Sequence, residues 1–134
     1  MTHLFPVTVY YEDTDLGGIV YHANYLKFIE RARSDWVRGL GIDQNALRAQ
    51  GVVFAVHRIE ADFLAPARLD DRLQVETRAI GGTKARLVLE QSVHHGPTRL
   101  FAARVTLVCM SAAGKPLRLP EGLAHILATI GEKP

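Results

Sequence analysis

Residues 10–25 read Tyr-Tyr-Glu-Asp-Thr-Asp-Leu-Gly-Gly-Ile-Val-Tyr-His-Ala-Asn-Tyr and gather three carboxylates, two glycines and a histidine. Three kinds of chemistry use carboxylates spaced as Asp13-Thr14-Asp15. A calcium loop of the EF-hand type needs an oxygen ligand at its fifth position and Glu at its twelfth, and Gly17 and Asn24 stand there instead. An aspartyl-phosphate phosphatase expects Thr or Val two residues after the second Asp, where this chain has Gly17, and a longer α/β domain. The third possibility is a carboxylate that activates water in front of a helix N-terminus. There the unpaired N–H groups and the helix dipole stabilise an oxyanion, and glycines let the backbone come close. Acyl transfer requires those two parts.

The elements that must position these groups follow from periodicity. Residues 7–11 are β-branched or aromatic and follow Pro6, which is tolerated at a strand start, so a first strand is expected there. Tyr25, Phe28, Ile29, Ala32, Trp36, Val37 and Leu40 recur at the spacing of one helical face, and Gly39 and Gly41 mark the end of that helix. On its other face Arg31 and Asp35 are four apart, the spacing of an ion pair. So broad an apolar stripe needs a large flat partner, and a sheet supplies one.

After a short helical piece at 43–50, four strands are expected at 52–64, 72–80, 85–95 and 99–110. Leu73, Val75, Thr77 and Ala79 share one face of the second, and Phe101, Ala103, Val105, Leu107 and Cys109 one face of the fourth. Gly81-Gly82-Thr83 and His95-Gly96-Pro97 are too short for crossover helices and imply antiparallel hairpins. Residues 120–134 read as a short helix or tail. One strand, one long helix and then four strands exclude a doubly wound parallel sheet. What remains is an α+β fold, an antiparallel sheet wrapped around one helix.

With 134 residues, 48% of them hydrophobic and 22% charged, the chain suits one folded domain. The net charge of +2, from 16 basic and 14 acidic residues without a block of one sign, gives no footprint for nucleic acid or a membrane surface. A single cysteine, Cys109, leaves no intramolecular disulfide and no cysteine zinc site, which suits the cytoplasm. The first six residues place no Lys or Arg ahead of an apolar stretch, so no cleaved leader is expected. The longest run of aliphatic and aromatic residues, 52–56, is far below the ~20 residues of a membrane-spanning helix.

The pattern Tyr-x-Asp-Thr-Asp-x-x-Gly-x-Val-Tyr-His-x-Asn-Tyr, followed by Phe28-x-Glu30-Arg31-Ala32-Arg33 and later by Pro66-Ala67-Arg68-Leu69-Asp70-Asp71, resembles the YbgC family of acyl-CoA thioesterases. That family lies in the hydroxybenzoyl-CoA thioesterase branch of the hotdog superfamily, and the resemblance covers roughly residues 5–120. It implies a single hotdog domain over residues 1–134, with a five-stranded antiparallel sheet around a long central helix. It also implies homodimers or homotetramers with active sites formed between subunits. By position Asp15 matches the catalytic carboxylate, as general base or as nucleophile, and His22 the histidine at the helix start, whose backbone N–H corresponds to the oxyanion donor. Tyr11, Gly18, Tyr21, Asn24 and Tyr25 fall on the substrate side of the same motif. In related hotdog thioesterases the turn equivalent to Gly82-Thr83-Lys84-Ala85-Arg86 meets the nucleotide phosphates, so Gly82, Thr83, Lys84 and Arg86 are candidates for binding CoA. The implied substrate is acyl-CoA of short, medium or aromatic acyl group, with an acyl carrier protein as a further partner. CoA enters as part of the substrate, with no cofactor and no metal. Members are often associated with the Tol-Pal system.

Other groups read more plainly. Asp13 is expected to hold the turn and Trp36 to fill the core. Glu30, the rival carboxylate, is expected in an ion pair or subunit contact. His57 falls on the alternating face of Val53, Ala55, Ile59, Ala61 and Phe63 and is read as a packed or interface histidine. Adjacent His94 and His95 point to opposite faces of a strand and cannot share a metal. Cys109 reads as a small buried apolar group. Two other function classes keep the same pocket: a hotdog hydroxyacyl dehydratase, which releases no thiol, and a non-catalytic acyl-CoA or acyl-carrier-protein binding module, which turns nothing over.

Overall fold

The computed structural model describes residues 2–131; residues 132–134 of the expected tail lie outside the described residues. In chain order the elements are β1 (His3–Thr8), a 3-10 turn (Tyr11–Asp13), α1 (Asn24–Gly39), α2 (Gln44–Ala49), β2 (Val52–Phe63), β3 (Arg72–Gly82), β4 (Arg86–His95), β5 (Thr98–Ser111), β6 (Pro116–Leu117) and α3 (Glu121–Gly131). The sheet runs β1-β3-β4-β5-β2, antiparallel throughout, and the two-residue β6 pairs with the end of β5. This is the hotdog arrangement: α1 lies in the curve of five long strands.

The stripe on α1 does the work its spacing implied. Tyr25, Phe28, Ile29, Ala32, Trp36 and Val37 are buried, and they join Leu73, Val75, Leu87, Leu89, Val93, Phe101, Val105 and Leu107 from β3, β4 and β5 in one core. Each large apolar side chain there contributes roughly 1.5–3 kcal/mol by leaving water. One polar residue shares this core. Gln91 on β4 is 1% exposed; its amide nitrogen donates to the Ile29 carbonyl at 2.8 Å and to Thr77 Oγ1 at 2.9 Å, while its oxygen accepts from Arg33 Nη1 at 2.9 Å. Burial pulls the Arg33 guanidinium below its ordinary value, with Glu30 opposing.

Three expectations need correction. The first strand covers His3–Thr8 rather than 7–11. β1 is an edge strand, so Pro6 sits inside it without costing a ladder bond. The extended run stops because the Tyr10 N–H is captured by the buried Asp13 carboxylate at 2.8 Å, which curls the chain into the 3-10 turn. β2 and β3 do not pair; residues 64–71 cross the end of the sheet, carrying the chain from one edge toward the other. Second, a β-bulge interrupts the β2 register between Val56 and Arg58. Core-facing residues are Val52 and Phe54 before it, Ile59 and Ala61 after it, and His57, read as packed or at an interface, is exposed at the bulge of edge strand β2 and so is not packed within the chain. Third, Asp35 meets His3 Nε2 at 2.9 Å and Arg38 at 3.7 Å instead of Arg31; Glu30, expected in an ion pair or subunit contact, accepts from Ser34 Oγ at 2.7 Å within the chain.

The turn between β3 and β4 depends on one glycine. Gly82 has φ +149°, and a Cβ there would lie 2.2 Å from the Arg86 carbonyl oxygen. That oxygen accepts from the Thr83 N–H at 2.8 Å, and Thr83 Oγ1 accepts from the Ala85 and Arg86 N–H groups at 3.2 and 3.1 Å. Gly82→Ala therefore opens the turn. It is expected to cost about 2 kcal/mol and lower Tm by roughly 6–10 °C, as thermal denaturation would show; an unchanged Tm would mean the turn relaxes freely.

Candidate active site

Asp15 sits at the tip of a short hairpin. Thr14 and Val20 form an antiparallel bridge, the Asp15 N–H donates to the Ile19 carbonyl at 2.9 Å, and the Gly18 N–H donates to the Asp15 carbonyl at 3.0 Å. Gly18 takes φ +79°, which glycine adopts without strain. The Asp15 carboxylate accepts the Gly17 N–H at 2.8 Å and is otherwise exposed, facing an open groove of about 660 Å³ with Tyr11, Gly18 and Leu69 in its walls. This half of the site comes from the glycine-rich turn.

The hairpin is fastened on both sides. Asp13, 7% exposed, holds the Tyr10 N–H through its carboxylate, and its carbonyl oxygen accepts from the Tyr21 N–H and from Asn24 Nδ2, each at 2.9 Å. On the other side the crossover grips it: the Val20 N–H donates to the Ala67 carbonyl at 2.9 Å, and Ile19 bridges to Arg68. Asp13 thus has the structural place expected of it.

His22 lies where the hairpin passes into α1. The helix N-cap is Ala23, which offers no side-chain acceptor, and the His22 N–H finds no acceptor among the described residues. The exposed His22 ring stands 4.6 Å from the Tyr21 ring and 6.0 Å, edge-on, from Phe63. A second groove of about 310 Å³ opens there, walled by His22, Tyr25, Phe63 and Leu64 and largely apolar. Asp15 and His22 therefore line separate grooves. These adjoin through the backbone of residues 18–20 and the crossover, since Gly18 and Leu69 belong to one groove, Ile19 and Leu64 to the other.

The remaining motif residues divide. Tyr11 is 83% exposed and Tyr21 47% exposed, so both reach outward at the site. Asn24 turns its amide back onto the Asp13 carbonyl. Tyr25 is 4% exposed, stacks on Phe101 at 5.1 Å and 7°, and accepts the Ala67 N–H at 3.0 Å, so it pins the crossover against α1. Burial pushes the Tyr25 phenol up, the Ala67 hydrogen bond opposing and the Asp71 charge adding to the rise. Phe63 and Leu64 were not singled out as site residues by sequence, whereas residues 66–71 of the crossover carry part of the family motif; the signal of the first two is an apolar pair at the end of a strand, which by itself reads as core. Gln91 carries a clearer one, a lone amide in the alternating apolar set Leu87, Leu89, Val93.

The Gly82–Arg86 turn is not in this neighbourhood. Arg86 pairs with Val108, whereas Phe101 pairs with Phe63 beside His22. Phe101 and Val108 are seven residues apart on β5, about 23 Å at ~3.3 Å per residue. Within one chain Lys84 and Arg86 belong to the opposite end of the sheet. Cys109, 1% exposed, has its thiol pushed up by burial, with a Met110 backbone hydrogen bond opposing. Among the described residues no cluster of His, Cys, Asp or Glu is arranged for a metal, and no helix is long and apolar enough to cross a membrane.

A family model described as the thioesterase-like superfamily matches residues 9–127. The Escherichia coli protein named acyl-CoA thioester hydrolase YbgC is 42% identical over 121 residues, 89% of this chain and 90% of the relative. The acyl-CoA thioesterase YbgC of Haemophilus influenzae is 41% identical over 119 residues, 87% and 88% of the two chains. The chain belongs to the YbgC family of thioesterases. The crystal structure of a probable thioesterase from Bartonella henselae superposes with a TM-score of 0.86 at 39% identity, covering 90% of this chain and all of that one. The family-model match, residues 9–127, spans both halves of the site, the Asp15 hairpin and the start of α1, together with the crossover that joins their grooves.

Proposed function

We propose that this chain hydrolyses the thioester of acyl-CoA, with Asp15 as the reacting carboxylate and the His22 N–H as oxyanion donor. The observation that carries the reading is the His22 N–H, which finds no acceptor among the described residues, whereas the N–H groups of Asn24, Tyr25 and Leu26 that follow are met by the carbonyls of Tyr21, His22 and Ala23. A free N–H at the entrance to a helix, in a groove adjoining that of an exposed carboxylate, is what a developing oxyanion needs. In one route Asp15 takes a proton from water as the water oxygen bonds to the carbonyl carbon. The C–S bond then breaks and CoA leaves as the thiolate, which is protonated. In the other, an Asp15 oxygen bonds to the carbonyl carbon, the thiolate leaves, and water cleaves the resulting anhydride. The His22 ring, held by Tyr21 and Phe63, orients the thioester, and the apolar groove beside it takes the acyl group.

CoA recognition in this reading requires a second copy. β2, at one edge of the sheet, offers twelve residues of backbone to a two-fold partner. Antiparallel pairing of β2 with its copy sets the Phe63 end against the partner's Val52 end. The Gly82–Arg86 turn lies at that Val52 end, so it would arrive beside the first chain's site with Lys84 and Arg86 facing the CoA phosphates.

Free-thiol release from acyl-CoAs ranging from acetyl to long-chain and aromatic tests the reading. Turnover is expected, with a preference among chains that the groove sets; no thiol from any of them overturns it in favour of a dehydratase or a binding module. On the best substrate Lys84→Ala is expected to raise KM roughly threefold to tenfold, about 1 kcal/mol, with kcat nearly unchanged and the effect shrinking as salt is added. An unchanged KM at low salt removes Lys84 from CoA binding.

A further inference from the structure

We infer that Asn24 is a positioning residue that fixes the Asp15 carboxylate relative to the His22 N–H, an assignment that rests on the thioesterase reading above. The atom that links the two is the carbonyl oxygen of Asp13. It lies two residues before Asp15, and it receives the N–H of Tyr21, one residue before His22, and the side-chain amide of Asn24, in the first turn of α1. Both bonds are 2.9 Å. The acid and the donor are thus held from flanking residues by a single acceptor.

The surroundings make that acceptor immobile. Asp13 is buried, its carboxylate is fixed on the Tyr10 N–H, and the Thr14–Val20 bridge closes the hairpin immediately beyond it. The Tyr21 bond is backbone and tolerates any side chain. The Asn24 bond ties the helix itself to the hairpin and needs a donor of that length. Leucine has the shape without the donor, and aspartate would oppose one oxygen to another. Asn24 is only half-buried, and its own N–H already donates to the Tyr21 carbonyl at 2.8 Å, so its amide is not needed to start the helix. Without it the helix start and the Asp15 tip remain joined through Tyr21 but can tilt against each other. Misplacement by ~1 Å in a reacting geometry costs about 10²-fold in rate.

The test is steady-state thiol release by wild type, Asn24→Ala, Asp15→Asn and the double variant, with melting curves in parallel. Asn24→Ala is expected to lower kcat about tenfold to a hundredfold while KM stays within about threefold. In the Asp15→Asn background it is expected to remove less than about threefold more, because a residue that aims a carboxylate has nothing to aim once the carboxylate is gone. If Asn24→Ala does not yield folded protein, Asn24→Asp carries the same expectations, since it is isosteric and its charge suits a helix start. Unchanged kcat overturns the assignment, as does a raised KM alone, which marks a substrate contact, or a full additional loss on Asp15→Asn, which marks general support of the fold. Wild type that releases no thiol overturns the thioesterase reading itself, a result distinct from each of these.

Discussion

Asp15→Asn is expected to lower kcat by about 10²–10³ while leaving Tm and the secondary structure as they are. Asparagine keeps the oxygen that accepts the Gly17 N–H, so the turn at the hairpin tip survives the change. Only the charge and the basicity are lost. Both routes for thioester cleavage need the carboxylate, one to accept a proton and the other to attack, so either loses its first step. Thiol release together with a thermal melt checks the expectation, and undiminished turnover removes Asp15 from the reaction. A single turnover in ¹⁸O-water then tests the second route, because label in the Asp15 carboxylate marks attack by Asp15 followed by opening of the anhydride at the Asp15 carbonyl, which general-base catalysis does not give.

The largest effect on stability is expected from Gln91→Leu. The substitution nearly conserves volume, so what it removes is three hydrogen bonds: to the Ile29 carbonyl, to Thr77, which is 0% exposed, and from Arg33. Unmet polar groups in a dry core cost about 1–3 kcal/mol each. The Ile29 carbonyl retains its place in the helix, and Arg33 can partly recover water along the α1 surface, so the total is expected near 3 kcal/mol, a Tm fall of roughly 10 °C. Thr77→Val is the control; it takes one partner from Gln91 and is expected to cost about 1 kcal/mol. Equal melting of Gln91→Leu and wild type would mean the network contributes nothing net.

How far the sequence discloses the molecule depends on whether a feature is local. α1 was readable from Tyr25 to Leu40 because a helical face is set by spacing alone, and the hairpins at Gly81–Thr83 and His95–Pro97 because few residues leave few ways to turn. Pro6 misled because being an edge strand is a property of the finished sheet, and a proline inside β1 reads from sequence as a boundary. The β2 alternation failed at His57 because a bulge is an irregularity of backbone pairing that no side chain there announces. In the site, Asp15 and His22 were visible as residue types in a pattern. Their placement in two adjoining grooves was not, since it is made by the 64–71 crossover and by Phe63, which are distant in sequence. The Gly82–Arg86 turn shows the same limit more sharply: its basic groups were apparent, and its position at the far end of the sheet was not.

The pairing of His3 with Thr77 spans more than half of the chain. Loop-closure entropy has to be met before such a contact is repaid, so β3, β4 and β5, joined by short turns, assemble ahead of β1. The hairpin that bears Asp15 hangs from the C-terminal end of β1, and its other fastening is the crossover leading into β3. A segment made on the ribosome before the strands that receive it is thus among the last to take its shape, and the carboxylate is delivered to its place only when the second half of the chain has folded to receive it.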